Sequence, residues 1–109
     1  MSKLDKVQKV VHKGKVHELV KLTQDKEEEI RMAAVSGLGE VGGDDGFNAL
    51  IALLESEDEE IKIAAVKALA IVNNDHAETH LRYLMEHDSN PKIQEAIRKS
   101  LSILSKSSH

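Results

Sequence analysis

Apolar residues recur along the chain at helical spacing, and the whole arrangement returns after 31 residues. Ile30, Ala34 and Leu38 stand four residues apart, which places them on one side of an α-helix. The nine residues IRMAAVSGL at 30–38 return as IKIAAVKAL at 61–69. A half-buried strand would instead alternate apolar and polar residues at every second position. The pattern therefore predicts a repeated helix rather than a strand.

A shorter apolar stripe precedes each long one, and a third, less regular copy follows the first two. The shorter stripes lie at 16–22, 47–53 and 81–84, and the third long stripe begins at Ile93 after one extra residue. Residues 4–10 repeat the spacing of the later part of a long stripe. A single pair of such helices cannot bury its own apolar side, whereas stacked pairs can. Each unit is therefore expected to be a helical hairpin that packs on its neighbours.

We predict an all-α fold, a right-handed α-solenoid (α–α superhelix) of about three two-helix repeats preceded by an N-terminal helix. The predicted segments are a capping helix at 1–13, repeats at 14–45, 46–76 and 77–105, and a tail at 106–109. Turn chemistry agrees with this division. Gly42 and Gly43 can adopt the left-handed conformation that ends a helix. Asn90 followed by Pro91 suits the cap and first position of another helix.

Composition excludes several function classes. The chain has 109 residues, enough for one domain, and it has no Cys, which excludes disulfides and thiolate metal sites. No apolar run approaches the ~20 residues that a membrane helix needs, and the N-terminus lacks the apolar core of a signal peptide. We therefore expect a cytoplasmic protein without a membrane partner. Phe47 and Tyr83 are the only aromatic residues, so base stacking on single-stranded nucleic acid is not expected.

Charge is distributed unevenly along the chain. The net charge is +4 over residues 1–21, −11 over 22–90 and +3 over 91–109. This acidic centre argues against a phosphate-binding footprint, and so against a nucleic-acid partner. The acidic runs at 25–29 and 55–60 fall where helices are expected to begin, which is where carboxylates are favoured. An acidic ridge for a basic partner or a divalent cation is the alternative interpretation.

The repeated residues resemble those of the HEAT repeat family, specifically the short HEAT-like repeats of the phycobilisome-lyase type. An Ile, a basic residue, paired Ala and a Leu recur in the order Ile-[Arg/Lys]-x-Ala-Ala-x-x-x-Leu, and the first copy continues to Val41, Gly42, Gly43 and Asp44. The resemblance covers about residues 14–105. It implies an α-solenoid whose longer helices line a concave face, and a non-catalytic scaffold rather than an enzyme.

In such a solenoid, part of each longer helix would face a binding partner. A helical projection predicts an apolar patch with a basic rim on these helices, formed by Met32, Val35, Ile63, Val66, Lys67, Arg98 and Lys99. An apolar groove with a charged border is typical of surfaces that bind a protein or peptide segment. In the alternative, Val35 and Val66 pack against the next repeat. Ile71 and Ile103 are expected to pack in the core.

The predicted function is a non-catalytic protein-interaction scaffold or adaptor that binds a protein or peptide on its inner-helix face. Alternatives are a homodimerising module that uses the same patch, and an accessory subunit or lyase-like protein of an enzyme system. The half unit at the start also suits part of a longer repeat array. No catalytic arrangement, cofactor motif or metal site is predicted. His76 and His80 have ligand spacing on a helix, but the further ligands of a zinc site are unassigned.

Overall fold

The computed structural model describes residues 2–72 and 74–107, so residues 108–109 of the predicted tail lie outside the described part. Within these ranges the chain forms seven α-helices and no strand. The helices are α1 Lys3–His12, α2 Val16–Leu22, α3 Glu28–Val41, α4 Gly43–Leu53, α5 Glu59–Val72, α6 Ala77–His87 and α7 Pro91–Ser107. The predicted all-α class is confirmed. α4 begins before the predicted boundary at residue 46, and α7 continues past the predicted end of the third repeat at residue 105.

The helices form two layers, and the chain alternates between them. α1, α3, α5 and α7 pack side by side in sequence order, while α2, α4 and α6 cover one side of that row. Successive helical hairpins therefore stack on one another, which is the predicted α-solenoid. We call the exposed side of α3, α5 and α7, opposite the second layer, the inner face. Its exposed residues are Glu29, Ser36, Glu40, Glu60, Lys67, Ile71, Lys92, Lys99 and Ile103.

The core lies between the two layers and is built from the repeated apolar stripe. Ile30 and Leu38 of α3 and their equivalents Ile61 and Leu69 of α5 are fully buried. Ile93 continues this row in α7. Because each stripe is shared with the neighbouring hairpin, stability depends on contact between repeats as well as within them.

Small residues bring adjacent long helices close together. A Cβ atom added at Gly39 of α3 would lie 3.1 Å from the Cβ of Ala68 in α5. The hydroxyl of Ser100 in α7 donates a buried hydrogen bond of 3.0 Å to the Val66 carbonyl of α5. The long helices are thus joined by close packing at α3–α5 and by a buried polar contact at α5–α7.

Helix ends follow the turn chemistry of the sequence. The Asn90 side-chain oxygen accepts a hydrogen bond of 2.8 Å from the Lys92 amide, with Pro91 at the first helical position. The Asp58 carboxylate accepts hydrogen bonds from the first turn of α5. Gly42 ends α3 with a φ of 64°, a left-handed value that favours glycine.

Ion pairs at one edge of the solenoid connect each long helix to the loop before the next one. They join Lys3 to Asp25 at 3.4 Å, Arg31 to Asp58 at 3.8 Å and Lys62 to Asp88 at 2.8 Å. The Lys62 ammonium, which donates a hydrogen bond to Asp88, lowers the pKa of that carboxyl, and the Asn90 amide adds to the effect. The aspartates at this edge therefore join neighbouring repeats.

Candidate protein-binding surface

Val35 and Val66 do not belong to an exposed patch, because both side chains are 0% exposed. They lie on the flank of their helices that faces the next long helix in the row. On that flank Gly39 approaches α5 and the carbonyl of Val66 accepts the hydrogen bond from α7. The prediction that these two valines contact a partner is therefore wrong. They pack between repeats.

Arg98 occupies in α7 the position that Val66 occupies in α5, 32 residues earlier. It is exposed, since no further helix in the described part of the chain packs on that flank of α7. Its guanidinium lies 3.4 Å from the Glu95 carboxylate. Arg98 thus lies at the end of the row of helices, beside the inner face rather than in its centre.

Met32 and Ile63 are half-buried and line a groove between α3 and α5. The groove encloses about 220 Å³, and its other lining residues are Glu28, Glu60, Ala64 and Lys67. Both apolar side chains also pack against the core. The structure therefore brings Met32, Ile63 and Lys67 of the predicted set together in one shallow groove.

Ile71 and Ile103 are the exposed apolar residues of the inner face. Ile71 is 70% and Ile103 is 53% exposed, so the expectation that they pack in the core is wrong. Both follow a lysine by four residues, Lys67 in α5 and Lys99 in α7, which places each pair on one helix face. The repeat alignment indicated that this position is exposed, because Ile71 corresponds to the charged Glu40 in α3.

The lysines of the inner face differ in their surroundings. Lys99 lies 3.8 Å from Glu95 in the same helix, one turn earlier. Lys67 forms no ion pair with any residue that the structure describes, and its side chain is exposed beside the groove. Lys67 is therefore available to a carboxylate of a partner.

Two carboxylates meet at the end of the groove that is opposite Lys67. Glu28 belongs to the first turn of α3, and Glu60 belongs to the first turn of α5. The Glu28 carboxyl raises the pKa of Glu60 above its usual value, because the two groups share a hydrogen bond and repel each other when both are ionised. At neutral pH this end of the groove therefore concentrates negative charge.

The repeat pattern of the chain is matched by a comparison with known protein families. A family model described as HEAT repeats matches residues 16–102, which is most of the chain. The chain belongs to the HEAT repeat family. No curated protein matches it. HEAT repeats commonly serve as scaffolds for protein interactions, and their stacked helices form extended binding surfaces.

Other candidate sites on this HEAT array have structural explanations. Among the residues that the structure describes, no three His, Asp or Glu side chains are grouped in a way that could hold a metal ion. His80 instead packs edge-on against Phe47, with ring centroids 6.0 Å apart. None of the described helices is long and apolar enough to cross a bilayer.

Glu60→Gln is expected to raise the melting temperature of this HEAT array at neutral pH. The native pKa of Glu60 lies above its ordinary value of 4.5, so the native state holds that proton more tightly than the unfolded chain does. Stability therefore falls as the pH rises from 4.5 through the raised pKa. The glutamine variant cannot ionise and avoids this loss. Thermal unfolding followed by circular dichroism at several pH values would measure the difference, which should disappear well below pH 4.5.

Glu29→Gln is the matched control, because it also removes a charge from a first helical turn. That change loses the favourable interaction with the helix dipole without separating Glu28 from Glu60. We expect Glu29→Gln to melt at or below the temperature of the unmodified chain. A Glu60→Gln protein that behaves like Glu29→Gln at neutral pH would contradict the assignment of the carboxylate pair.

Proposed function

We propose that this HEAT repeat chain is a non-catalytic interaction module that binds a segment of another protein along its inner face. The observation that carries the proposal is the exposure of Ile71, which leaves a large apolar side chain in water on the side opposite the second layer. Apolar surface of this kind, next to a groove and rimmed by charge, often marks an interaction site. Ile103 and the Met32–Ile63 groove extend it across three adjacent helices.

The proposed contact residues are those of the predicted set that remain accessible, together with the two isoleucines. They are Met32, Ile63, Lys67, Ile71, Lys99 and Ile103, with Arg98 at the margin. Rigid presentation is the mechanism, because stacked hairpins fix the spacing between α3, α5 and α7 before a partner arrives. A preformed surface avoids the entropy cost of ordering itself on binding.

Ile71→Glu tests the proposal more cleanly than a change at Ile63, since Ile63 also packs against the core. Peptides would first be selected from a random display library on the unmodified chain. We expect Ile71→Glu to lower the affinity for the selected peptides by about tenfold, because a carboxylate would replace an apolar contact that is buried in the complex. Isothermal titration would measure the affinity of each variant.

Tyr83→Glu provides the matched control on the second layer. Tyr83 is 64% exposed, so it offers the same introduction of charge at a comparably exposed position of α6. Its peptide affinity should stay within about twofold of that of the unmodified chain, which is well under the tenfold change that corresponds to about 1.4 kcal/mol. Equal losses for both variants, or a loss confined to Tyr83→Glu, would contradict the proposal.

A second copy of the chain is the other occupant that the exposed isoleucines could accept. Light scattering of the unmodified chain over a wide concentration range separates the two cases. The proposal expects the 12.0 kDa mass of one chain throughout. A dimer that Ile71→Glu dissociates would instead assign the inner face to self-association.

A further inference from the structure

The groove between α3 and α5 has a different chemical character at each of its ends. Glu28 and Glu60 form one end, and Lys67 forms the other. Met32, Ile63 and Ala64 supply the apolar lining between them. The groove therefore has a direction, acidic toward the first turns of the two helices and basic two turns further along α5.

The two carboxylates at the acidic end form no ion pair with a basic side chain in the described part of the chain, and the Arg31 charge, which pairs with Asp58, only partly offsets the rise in the pKa of Glu60. By contrast, Asp25, Asp58 and Asp88 at the neighbouring edge each pair with a basic side chain. Two adjacent carboxylates beside an apolar surface match a Lys or Arg side chain. Its methylene groups can lie over Met32 or Ile63 while its charge lies between the acids. Binding would then relieve the repulsion that raises the pKa of Glu60.

The distance between the acidic and basic ends of the groove sets the length of the segment that can contact both. Glu60 and Lys67 are seven residues apart in α5, which corresponds to about 10 Å along a helix that rises 1.5 Å per residue. A segment in the extended polyproline II conformation advances about 3.1 Å per residue and has three residues per turn, so every third side chain lies on the same side. A basic and an acidic residue about three positions apart would therefore reach both ends, with an apolar side chain between them over the groove.

We propose that the groove binds an extended partner segment in which a Lys or Arg and an Asp or Glu about three residues apart enclose an apolar residue, the basic side chain lying between Glu28 and Glu60. This rests on the proposed function, because it specifies the segment that the inner face accepts. A uniformly acidic segment would meet the two glutamates, and a uniformly basic one would meet Lys67. Charge complementarity therefore favours a segment of mixed charge in this order.

The test compares which peptides are selected from one random display library by four forms of the chain. These are the unmodified chain, the double variant Glu28→Gln with Glu60→Gln, the variant Lys67→Glu, and the control Glu29→Gln. Glu29 lies in the same first turn of α3 but does not line the groove. Circular dichroism confirms that each form is folded, and the glutamine substitutions remove repulsion rather than core contacts.

We expect peptides selected on the unmodified chain to be enriched in Lys or Arg about three residues from Asp or Glu. On the double glutamine variant the basic preference should be lost while the acidic one remains, and on Lys67→Glu the acidic preference should be lost. A peptide selected on the unmodified chain should bind the double variant at least about tenfold more weakly, and Glu29→Gln within about twofold.

The outcomes separate the inference from the proposed function. Peptides that depend on Ile71 but show no order of charges, or whose charges do not change with the groove variants, would overturn the inference and leave the interaction module standing. Peptides of uniform charge would also overturn the inference. Failure of the unmodified chain to enrich any peptide would overturn both.

Discussion

Leu69→Ala is expected to lower the free energy of unfolding by about 4 kcal/mol, near the upper part of the range for buried leucine truncations. Leu69 is fully buried in α5, and α5 contacts α3, α4, α6 and α7. Removal of its side chain leaves a cavity where two hairpins meet, and rigid neighbours on both sides restrict its collapse. Because small domains are stable by only about 5–15 kcal/mol, this loss is a large share of the total. Urea denaturation followed by circular dichroism would measure it.

Leu101→Ala supplies the comparison, since Leu101 is the equivalent residue 32 positions later in α7. Its side chain is half-buried, and α7 has a long helix on only one side within the described chain. We expect a loss of about 2 kcal/mol there, at the low end of the range for leucine truncation. Equal losses at the two positions would contradict the view that the central repeat is held by both neighbours.

Gly39→Leu is expected to destabilise the chain by about 3 kcal/mol through overpacking. An added Cβ alone would lie 3.1 Å from the Ala68 side chain and 3.4 Å from the Ala68 carbonyl oxygen. The remaining atoms of leucine would force α3 and α5 apart and disturb the groove between them. Thermal and urea unfolding would measure the cost, and the peptide affinity of any folded protein should fall with it.

Ser36→Leu is the control for that substitution, because it introduces the same side chain on the exposed side of α3. A surface change of this kind should alter stability by no more than about 0.5 kcal/mol. If Gly39→Leu proved as stable as Ser36→Leu, the close approach of α3 and α5 would be contradicted.

The fold could be predicted from the sequence because the same apolar stripe occurs in successive helices. Ile30 and Leu38 and their equivalents Ile61 and Leu69 carry that signal, and all four are buried as the periodicity requires. Stacking follows because no single hairpin can cover such a stripe. The match of residues 16–102 to HEAT repeats confirms the family that the repeat pattern resembles.

The proposed binding surface was only partly predictable because a helical projection treats each helix alone. In the stacked array a long helix is buried on its stripe and also on the flank toward the next repeat, which removes Val35 and Val66 from the surface. Ile71 lies on the side of α5 that remains uncovered, so it is exposed, although its apolar character suggested that it packs in the core. Only the alignment of Ile71 with Glu40 indicated otherwise.

The carboxylate pair was hidden for a related reason. Glu28 and Glu60 are 32 residues apart, so a repeat of 31 residues does not align them with each other. They meet because adjacent helices pack side by side, which brings together residues that are not equivalent in the repeat. Contacts of this kind depend on the relative placement of α3 and α5, which periodicity does not specify.

Nuclear magnetic resonance of the ¹⁵N-labelled chain, titrated with a peptide selected on it, would show which face of the solenoid contacts the peptide. If the inner face is the binding surface, the amide shifts should change around Met32, Ile63, Lys67 and Ile71, along α3 and α5. The exposed positions of α2 and α6 should stay unchanged. Shifts concentrated around Tyr83 and the rest of the second layer, with α3 and α5 unaffected, would contradict binding on the inner face.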